Sequence, residues 1–176
     1  YDFEDASDLG LDSSGYGRSA ITTISDPESI AGVNGGLAVE LDGNDYFEIA
    51  QSPAFNIGEA GMTVSYWVKP ENNWSATGDF EGVFDNHNSI GWQVYWHTAG
   101  YLYGYLTSGV AVDTNGTLSE VGDKWNHFIV SIKPNTQDSK IILNGTDVTA
   151  NARSYNSSAQ TGAIRIGYNN LNADLD

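Results

Sequence analysis

Aromatic side chains with polar tips concentrate in one short stretch of the chain. Trp92, Val94 and Trp96 alternate with Gln93, Tyr95 and His97, and a few residues later Tyr101, Tyr103 and Tyr105 alternate with Leu102, Gly104 and Leu106. Successive side chains of an extended segment point to opposite faces. One face of this pair must therefore be core, and the other displays Tyr, His and Gln. Such a face suits sugar rings, whose C–H surfaces stack on aromatics while their hydroxyls bond polar tips. Trp74, in the polar run Asn72-Asn73-Trp74-Ser75, is hard to explain as core. Trp74, Tyr95, Tyr101, Tyr103 and Tyr105 are thus candidate ligand contacts, with the loop near Asp85 and Asn86 as the alternative location. Tyrosines are also ordinary sandwich residues, so a purely structural reading of the same pattern stands beside this one.

Other chemistry is sparse. There are three His: His127 follows Trp125-Asn126, His87 lies in Asn86-His87-Asn88, and His97 ends the aromatic run. None has a partner at metal-ligand spacing, and His127 reads as a hydrogen-bonded structural residue. The paired acids Glu4-Asp5 and Asp79/Glu81 suit solvation or a cation better than catalysis. A Gly-x-Ser-x-Gly elbow and a phosphate-cradling Gly-x-Gly-x-x-Gly are both missing.

The elements that must position these residues are strands. Of 176 residues, 40% are hydrophobic and only 17% charged, and 20 are Gly, with abundant Ser, Thr and Asn. That balance suits a sheet protein with many turns. Period-two alternation recurs throughout and no helical stripe emerges. Strands are expected at Tyr1 to Asp5 (Phe3 inward), and at Leu37 to Leu41 with Tyr46 to Ala50 as a hairpin around Asp42-Gly43-Asn44-Asp45. Met62 to Lys69 follows, with Met62, Val64, Tyr66 and Val68 on one face and Pro70 as the stop. Further strands are expected at Phe80 to Phe84, Trp92 to His97, Tyr101 to Leu106, Phe128 to Ile132 and Ala163 to Tyr168. Ile141 to Val148 is a hairpin turning at Asn144-Gly145, the most specific short-range signal in the chain. Phe55 and Ile57 are expected to tuck beneath the sheets. About a dozen short strands imply a sandwich, read as one domain over 1–176.

The net charge of −16 repels phosphate backbones and anionic lipid surfaces, so neither nucleic acid nor membrane is an expected partner. Cysteine is absent, which excludes disulfides and thiolate chemistry. No apolar run approaches the roughly 20 residues that span a bilayer.

Several fragments, in order, resemble the laminin G-like branch of the concanavalin A-like jelly rolls. They are Tyr-Asp-Phe-Glu-Asp at 1–5, Asp-Ser-Ser-Gly at 12–15 and Leu-Asp-Gly-Asn-Asp-Tyr-Phe-Glu-Ile at 41–49. Then come Met-Thr-Val-Ser-Tyr-Trp-Val-Lys-Pro at 62–70, Trp-Asn-His-Phe at 125–128, Leu-Asn-Gly at 143–145 and Ile-Arg-Ile-Gly at 164–167. The resemblance implies an all-β, two-sheet antiparallel jelly-roll sandwich, often with calcium. Members serve as carbohydrate-binding, adhesion or spacer modules of secreted or surface proteins. The superfamily also contains hydrolases carrying Glu-x-Asp-x-x-Glu on one strand, and no strand here has that spacing. The family pattern continues past Asp176 into a further strand. The chain is therefore expected to be part of a longer polypeptide or to have that place filled by another chain, unless Ala163 to Tyr168 itself pairs beside Tyr1 to Asp5.

Calcium is the expected cofactor. With Phe3 inward, Asp2 and Glu4 point the other way, and Leu175 inward sends Asp176 outward. In jelly-roll order the first and last strands are neighbours, so these acids would crowd unless a cation sits among them. Asp12, in a Gly-bounded loop, adds a fourth carboxylate to an oxygen shell. The functional expectation is a non-catalytic, extracellular recognition module, calcium-stabilised, with a glycan or cell-surface polysaccharide as ligand. It would be secreted or displayed on a cell or virion surface, next to other domains of a longer polypeptide. The rivals are a structural or adhesion domain without a small ligand, and an accessory domain of a polysaccharide-degrading enzyme.

Overall fold

The computed structural model describes residues 1–41, 45–58, 60–70, 81–86, 91–97, 99–106, 109–114, 118, 121–156 and 162–167. Alternation in the sequence becomes strands with one buried face. In β5 (Met62–Val68), Met62, Val64, Tyr66 and Val68 are half-buried while Thr63, Ser65 and Trp67 are exposed. The same rule shapes β10 (Asn126–Ile132), where Phe128, Val130 and Ile132 are buried. β5 and β10 pair antiparallel, and β10 continues into β11 (Lys140–Leu143) and β12 (Thr146–Asp147). These four make one sheet, in the order β12-β11-β10-β5.

The larger sheet has eight strands among the described residues. Their ranges are β1 Ala20–Ile24, β4 Tyr46–Ile49, β6 Glu81–Asp85, β7 Trp92–His97, β8 Tyr101–Leu106, β9 Gly109–Asp113, β13 Asn151–Ala152 and β14 Ile164–Ile166. Their order is β1-β4-β14-β6-β7-β8-β9-β13, all neighbours antiparallel. A separate ribbon pairs β2 (Glu28–Ala31) with β3 (Leu37–Glu40). The chain is an all-β antiparallel jelly-roll sandwich, as the sequence implies.

Trp92, Val94 and Trp96 of β7 and Leu102 and Leu106 of β8 belong to the buried cluster, together with Phe128, Val130 and Ile132 from the opposite sheet. Phe128 is held between Tyr66, stacked at 5.7 Å and 19°, and Trp96, edge-on at 5.4 Å and 85°. Offset and edge-on pairs of this kind suit the ring quadrupole. Gly104 faces inward on β8, where a Cβ would lie 2.7 Å from Val112 Cγ1 and 3.1 Å from Ile132 Cδ1. The sheets meet there too closely for any side chain. At the Asn144-Gly145 hairpin both residues take positive φ, 48° and 83°, the primed geometry that matches strand twist. The Asn144 side chain also accepts the His127 amide at 2.9 Å and donates to Asn126 Oδ1 at 3.1 Å.

Three expectations change. Tyr1 to Asp5 forms no strand: Phe3 sits at φ 58°, which no extended chain tolerates. Its ring still packs inward, 5.8 Å from Phe47. Leu37 to Leu41 and Tyr46 to Ala50 contain strands that do not pair with each other. β3 pairs with β2, while β4 lies between β1 and β14. Phe47 and Ile49 are buried, and that burial draws β4 into the interior of the large sheet, away from β3. Ile164 to Ile166 lies between β4 and β6, so the first segment is not its partner. Residues 42–44 and 168–176 lie outside the described residues.

The N-terminal segment is held by side-chain capping of backbone amides. Glu4 Oε2 accepts the Leu37 amide at 3.0 Å. Asp12 accepts the amides of Ser14 at 2.9 Å and Arg18 at 2.8 Å, and the Ser14 hydroxyl as well. These hydrogen bonds, the Ser14 hydroxyl first, bring the Asp12 carboxyl from 3.8 down to about 2.

Phe128→Ala removes a fully buried ring and is expected to cost about 3–5 kcal/mol in denaturant unfolding. A depressed carboxyl pKa stabilises the fold above the ordinary Asp value and loses that contribution as pH falls through the folded value. Asp12→Asn is therefore expected to lower the melting temperature at pH 7, with the gap to the parent closing between about pH 4 and pH 2. A gap that is constant across that window would show that the charged form is not what the amides hold.

Candidate functional site

With Trp92, Val94 and Trp96 in the core, pleating sends Gln93, Tyr95 and His97 to the opposite face of the large sheet. Register places His97 beside Tyr101, Tyr95 beside Tyr103 and Gln93 beside Tyr105. The His97 and Tyr101 rings are nearly parallel, 6.0 Å apart at 15°. Tyr103 lies 5.2 Å from His97 and 6.2 Å from Tyr101. Beneath this group Tyr95 meets Tyr103 edge-on at 5.4 Å and Tyr105 at 6.3 Å. Tyr95 is only 4% exposed, whereas His97, Tyr101, Tyr103 and Tyr105 are half-buried. Burial first, then the neighbouring Tyr103 and Tyr105, pushes the Tyr95 hydroxyl well above the usual tyrosine range. Tyr95 is thus the floor of the aromatic group, and the other four rings are its accessible part. The Ala99 amide donates to His97 Nδ1 at 3.3 Å, which assigns the proton of the neutral ring to Nε2.

A charged group closes one end of this surface. Asp113, on β9 beside Tyr103, accepts Asn151 Nδ2 at 2.7 Å and Arg153 Nη1 at 2.6 Å. The Asp113 side chain is 6% exposed and that of Arg153 43%, so the carboxylate is the buried anchor and the guanidinium the accessible member. Val112 pairs with the inward Gly104 and Asp113 with the outward Tyr103, so pleating turns Val112 into the core and Asp113 to the aromatic side. The Tyr103 hydroxyl pKa is raised, by burial first and then by the Asp113 carboxylate, with Arg153 opposing. Hydroxyl, carboxylate and guanidinium therefore sense one another.

Toward the other edge runs a polar row. Arg165 Nε donates to Glu48 Oε2 at 3.0 Å, with its guanidinium 5.8 Å from the Tyr46 ring centre. Gln93 Nε2 donates to Asp85 Oδ1 at 3.3 Å. Asp85, Asn86 and Gln93 are almost fully buried, so Asp85 and Asn86 underlie the face and offer no open contact. Trp74 and His87 lie outside the described residues.

The acids expected to hold calcium are not brought together among the described residues, where no group of three or more His, Asp or Glu converges. Asp2 and Glu4 are exposed, Glu4 caps Leu37, and Asp12 caps Ser14 and Arg18. Asp176 lies outside the described residues. His127 does sit in a structural role, with Nε2 2.8 Å from Ser65 Oγ and its ring 5.0 Å from that of Trp67, on the outer face of the small sheet.

Sequence reasoning missed Asp113, Asn151 and Arg153. Gly109 to Asp113 alternates weakly because of its bulge, and the two-residue β13 is too short to carry a pattern. A charged residue ending a Val-Ala-Val run was the signal available for Asp113.

The comparisons with known proteins agree with this architecture. No curated protein sequence matches the chain. Among solved structures, the binding domain of Paraclostridial Mosquitocidal Protein 1 superposes with a TM-score of 0.71 at 16% identity, covering 94% of this chain and 45% of that one. A structure described as showing that cell entry of botulinum neurotoxin type C depends on interaction with two ganglioside molecules gives 0.67 at 17% identity, covering 90% and 39%. Domain 4 of AbnA, a GH43 extracellular arabinanase from Geobacillus stearothermophilus, in complex with arabinotriose, gives 0.55 at 19% identity, covering 82% and 68%. This chain spans less than half the length of the two toxin chains. At these identities the likeness establishes the fold. The family described as Laminin G 3, concanavalin A-like lectin/glucanases superfamily, matches residues 41–176. By that match, over most of its length, the chain belongs to the concanavalin A-like lectin/glucanase superfamily.

Proposed function

We propose that the chain is a non-catalytic carbohydrate-binding module whose ligand stacks on the aromatic face of the large sheet. The observation that carries this reading is the group formed by His97, Tyr101 and Tyr103. Its rings lie 5.2–6.2 Å apart on the side of β7 and β8 turned away from the core. Packing of the sandwich does not require these rings there, and flat aromatic surfaces beside hydroxyl and guanidinium donors match the two sides of a sugar ring. The arabinotriose complex of the arabinanase domain and the ganglioside dependence of the toxin support a glycan as ligand on this fold. The same neighbours support an extracellular setting, as one domain of a larger protein. The carboxylates of this face are engaged by Arg153, Arg165 and Gln93, which favours binding over hydrolysis.

Tyr101→Ala and Tyr103→Ala are each expected to weaken glycan binding about two- to tenfold, since a stacked aromatic pair is worth about 0.5–1.5 kcal/mol beyond its buried area. Circular dichroism and melting should stay close to those of the parent. A glycan array followed by titration calorimetry measures the first effect. Variants that fold and bind as the parent does would remove the face from the reading.

Calcium is a separable part of the proposal, as a stabiliser of the folded chain. An ion that binds only the folded state at a hundredfold excess over Kd adds about 2.7 kcal/mol. Melting with millimolar calcium against chelator is then expected to differ by several degrees. Superimposable curves would take the ion out and leave the glycan site standing.

A further inference from the structure

All seven Lys and Arg residues of the chain fall among the described residues. Lys69, Lys124, Lys133 and Lys140 lie on or beside strands of the small sheet, and Arg18 precedes β1, over the rings of Tyr16 and Phe55. Only Arg153 and Arg165 stand on the aromatic side of the large sheet, and each already faces a carboxylate: Asp113 at 2.6 Å and Glu48 at 3.0 Å. Asp85 adds a third carboxylate to that side, bonded to Gln93. The described charge there is therefore negative by one, on a chain whose net charge is −16.

We infer that the ligand of the aromatic face is an uncharged glycan, read through its hydroxyls by the exposed edge of Arg153. This rests on the glycan reading above and narrows it to a substrate class. Neighbouring strands are about 4.8 Å apart, so a ring stacked on Tyr103 lies within the roughly 8 Å screening distance of Asp113 at physiological salt. A carboxylate or sulfate on that ring would shed water without gaining an uncompensated cation. A hydroxyl meets a better match. Asp113 engages only Nη1 of Arg153, whose Nε and Nη2 donors make no hydrogen bond to the described residues. Asn151 donates to Asp113 through Nδ2, which leaves its carbonyl oxygen as an acceptor beside those donors. Donor and acceptor side by side on a rigid buried anchor, next to aromatic faces, are what vicinal hydroxyls require.

The test is titration of the intact chain with two sets of probes. One is neutral arabino-, xylo- and manno-oligosaccharides; the other is oligogalacturonates and sulfated oligosaccharides. Binding of at least one neutral probe is expected, about tenfold or more tighter than any acidic one, and changing less than about twofold between 50 and 500 mM NaCl. Asp113→Asn, which leaves Arg153 uncompensated, is expected to weaken the neutral probe and strengthen the acidic ones by about tenfold. The salt dependence of the parent keeps the test valid if that variant does not fold. An acidic probe that binds the parent as tightly as the neutral ones, with binding lost in Tyr103→Ala, would overturn the inference while leaving the glycan site in place. Absence of binding by every probe of both sets would take down the glycan reading and the inference with it.

Discussion

Everything on the outer surface of the large sheet depends on which side of β7 is buried, and Phe128 decides that. Its ring lies between Trp96 of one sheet and Tyr66 of the other, so Trp96 has to face inward. Trp92 and Val94 share its parity and follow it into the core. Pleating then leaves Gln93, Tyr95 and His97 no choice of side. The eight-stranded register carries that choice outward: Tyr101, Tyr103 and Tyr105 on β8, Asp113 on β9 and Asn151 on β13 fall on the same face because each pairs in register with its neighbour. A one-residue slip at β7 would exchange an indole core for a tyrosine one and dismantle the site. Close contact at Gly104 opposes such a slip, since Leu102 and Leu106 flank the one inward position of β8 that has no room for a side chain.

How much of this was legible follows from the reach of each signal. Alternation located β5, β7, β8 and β10 because their apolar faces are long and unbroken. The Asn144-Gly145 hairpin was legible because its turn chemistry is local and specific. Pairing partners were not. β3 and β4 carry the sequence signs of a hairpin, yet Phe47 and Ile49 draw β4 between β1 and β14, over a hundred residues away in the second case. No local pattern encodes a partner at that distance. The candidate aromatic site was half legible: the tyrosines announced themselves, while the distinction between Tyr95 as floor and Tyr101 and Tyr103 as surface needed the burial. The ion pair of Asp113 with Arg153 joins residues 40 apart in sequence across the pairing of β9 with a two-residue strand.

The acids illustrate a related point. An excess of carboxylates invites a cation in the reading of any sequence, because like charges at close range need compensation. Among the described residues, several of these carboxylates are compensated by hydrogen bonds. Asp12 caps two amides and a hydroxyl, Asp5 accepts from Ser7, Asp147 meets Lys140 and Thr149, and Glu4 holds the start of β3. Amide donors favour the charged form as a neighbouring cation does, and they are placed by turns that the Ser- and Gly-rich sequence already supplies. The acidic composition thus marks a surface rich in capped turns, each local in sequence and each consistent with the irregular N-terminal segment that replaces the expected first strand.

These two uses of carboxylates divide the molecule. Around the N-terminal turns they are mostly exposed and organise backbone; on the aromatic face they are buried or half-buried and organise side chains. Asp113 is the clearest case of the second kind: at 6% exposure it would be costly without partners, and it has both oxygens filled by Asn151 and Arg153. Those partners are fixed in return, because a guanidinium held by one edge on a buried carboxylate loses little further freedom when its other edge meets a ligand. The aromatic rings beside it are fixed in the same way by Tyr95, packed beneath Tyr103 and Tyr105. A surface whose polar and apolar contacts are both anchored from below would lose little side-chain freedom on meeting a rigid ring. That property sets this face apart from the Trp67 and His127 pair on the small sheet, where the indole is 47% exposed and the His127 ring is bonded to the Ser65 hydroxyl.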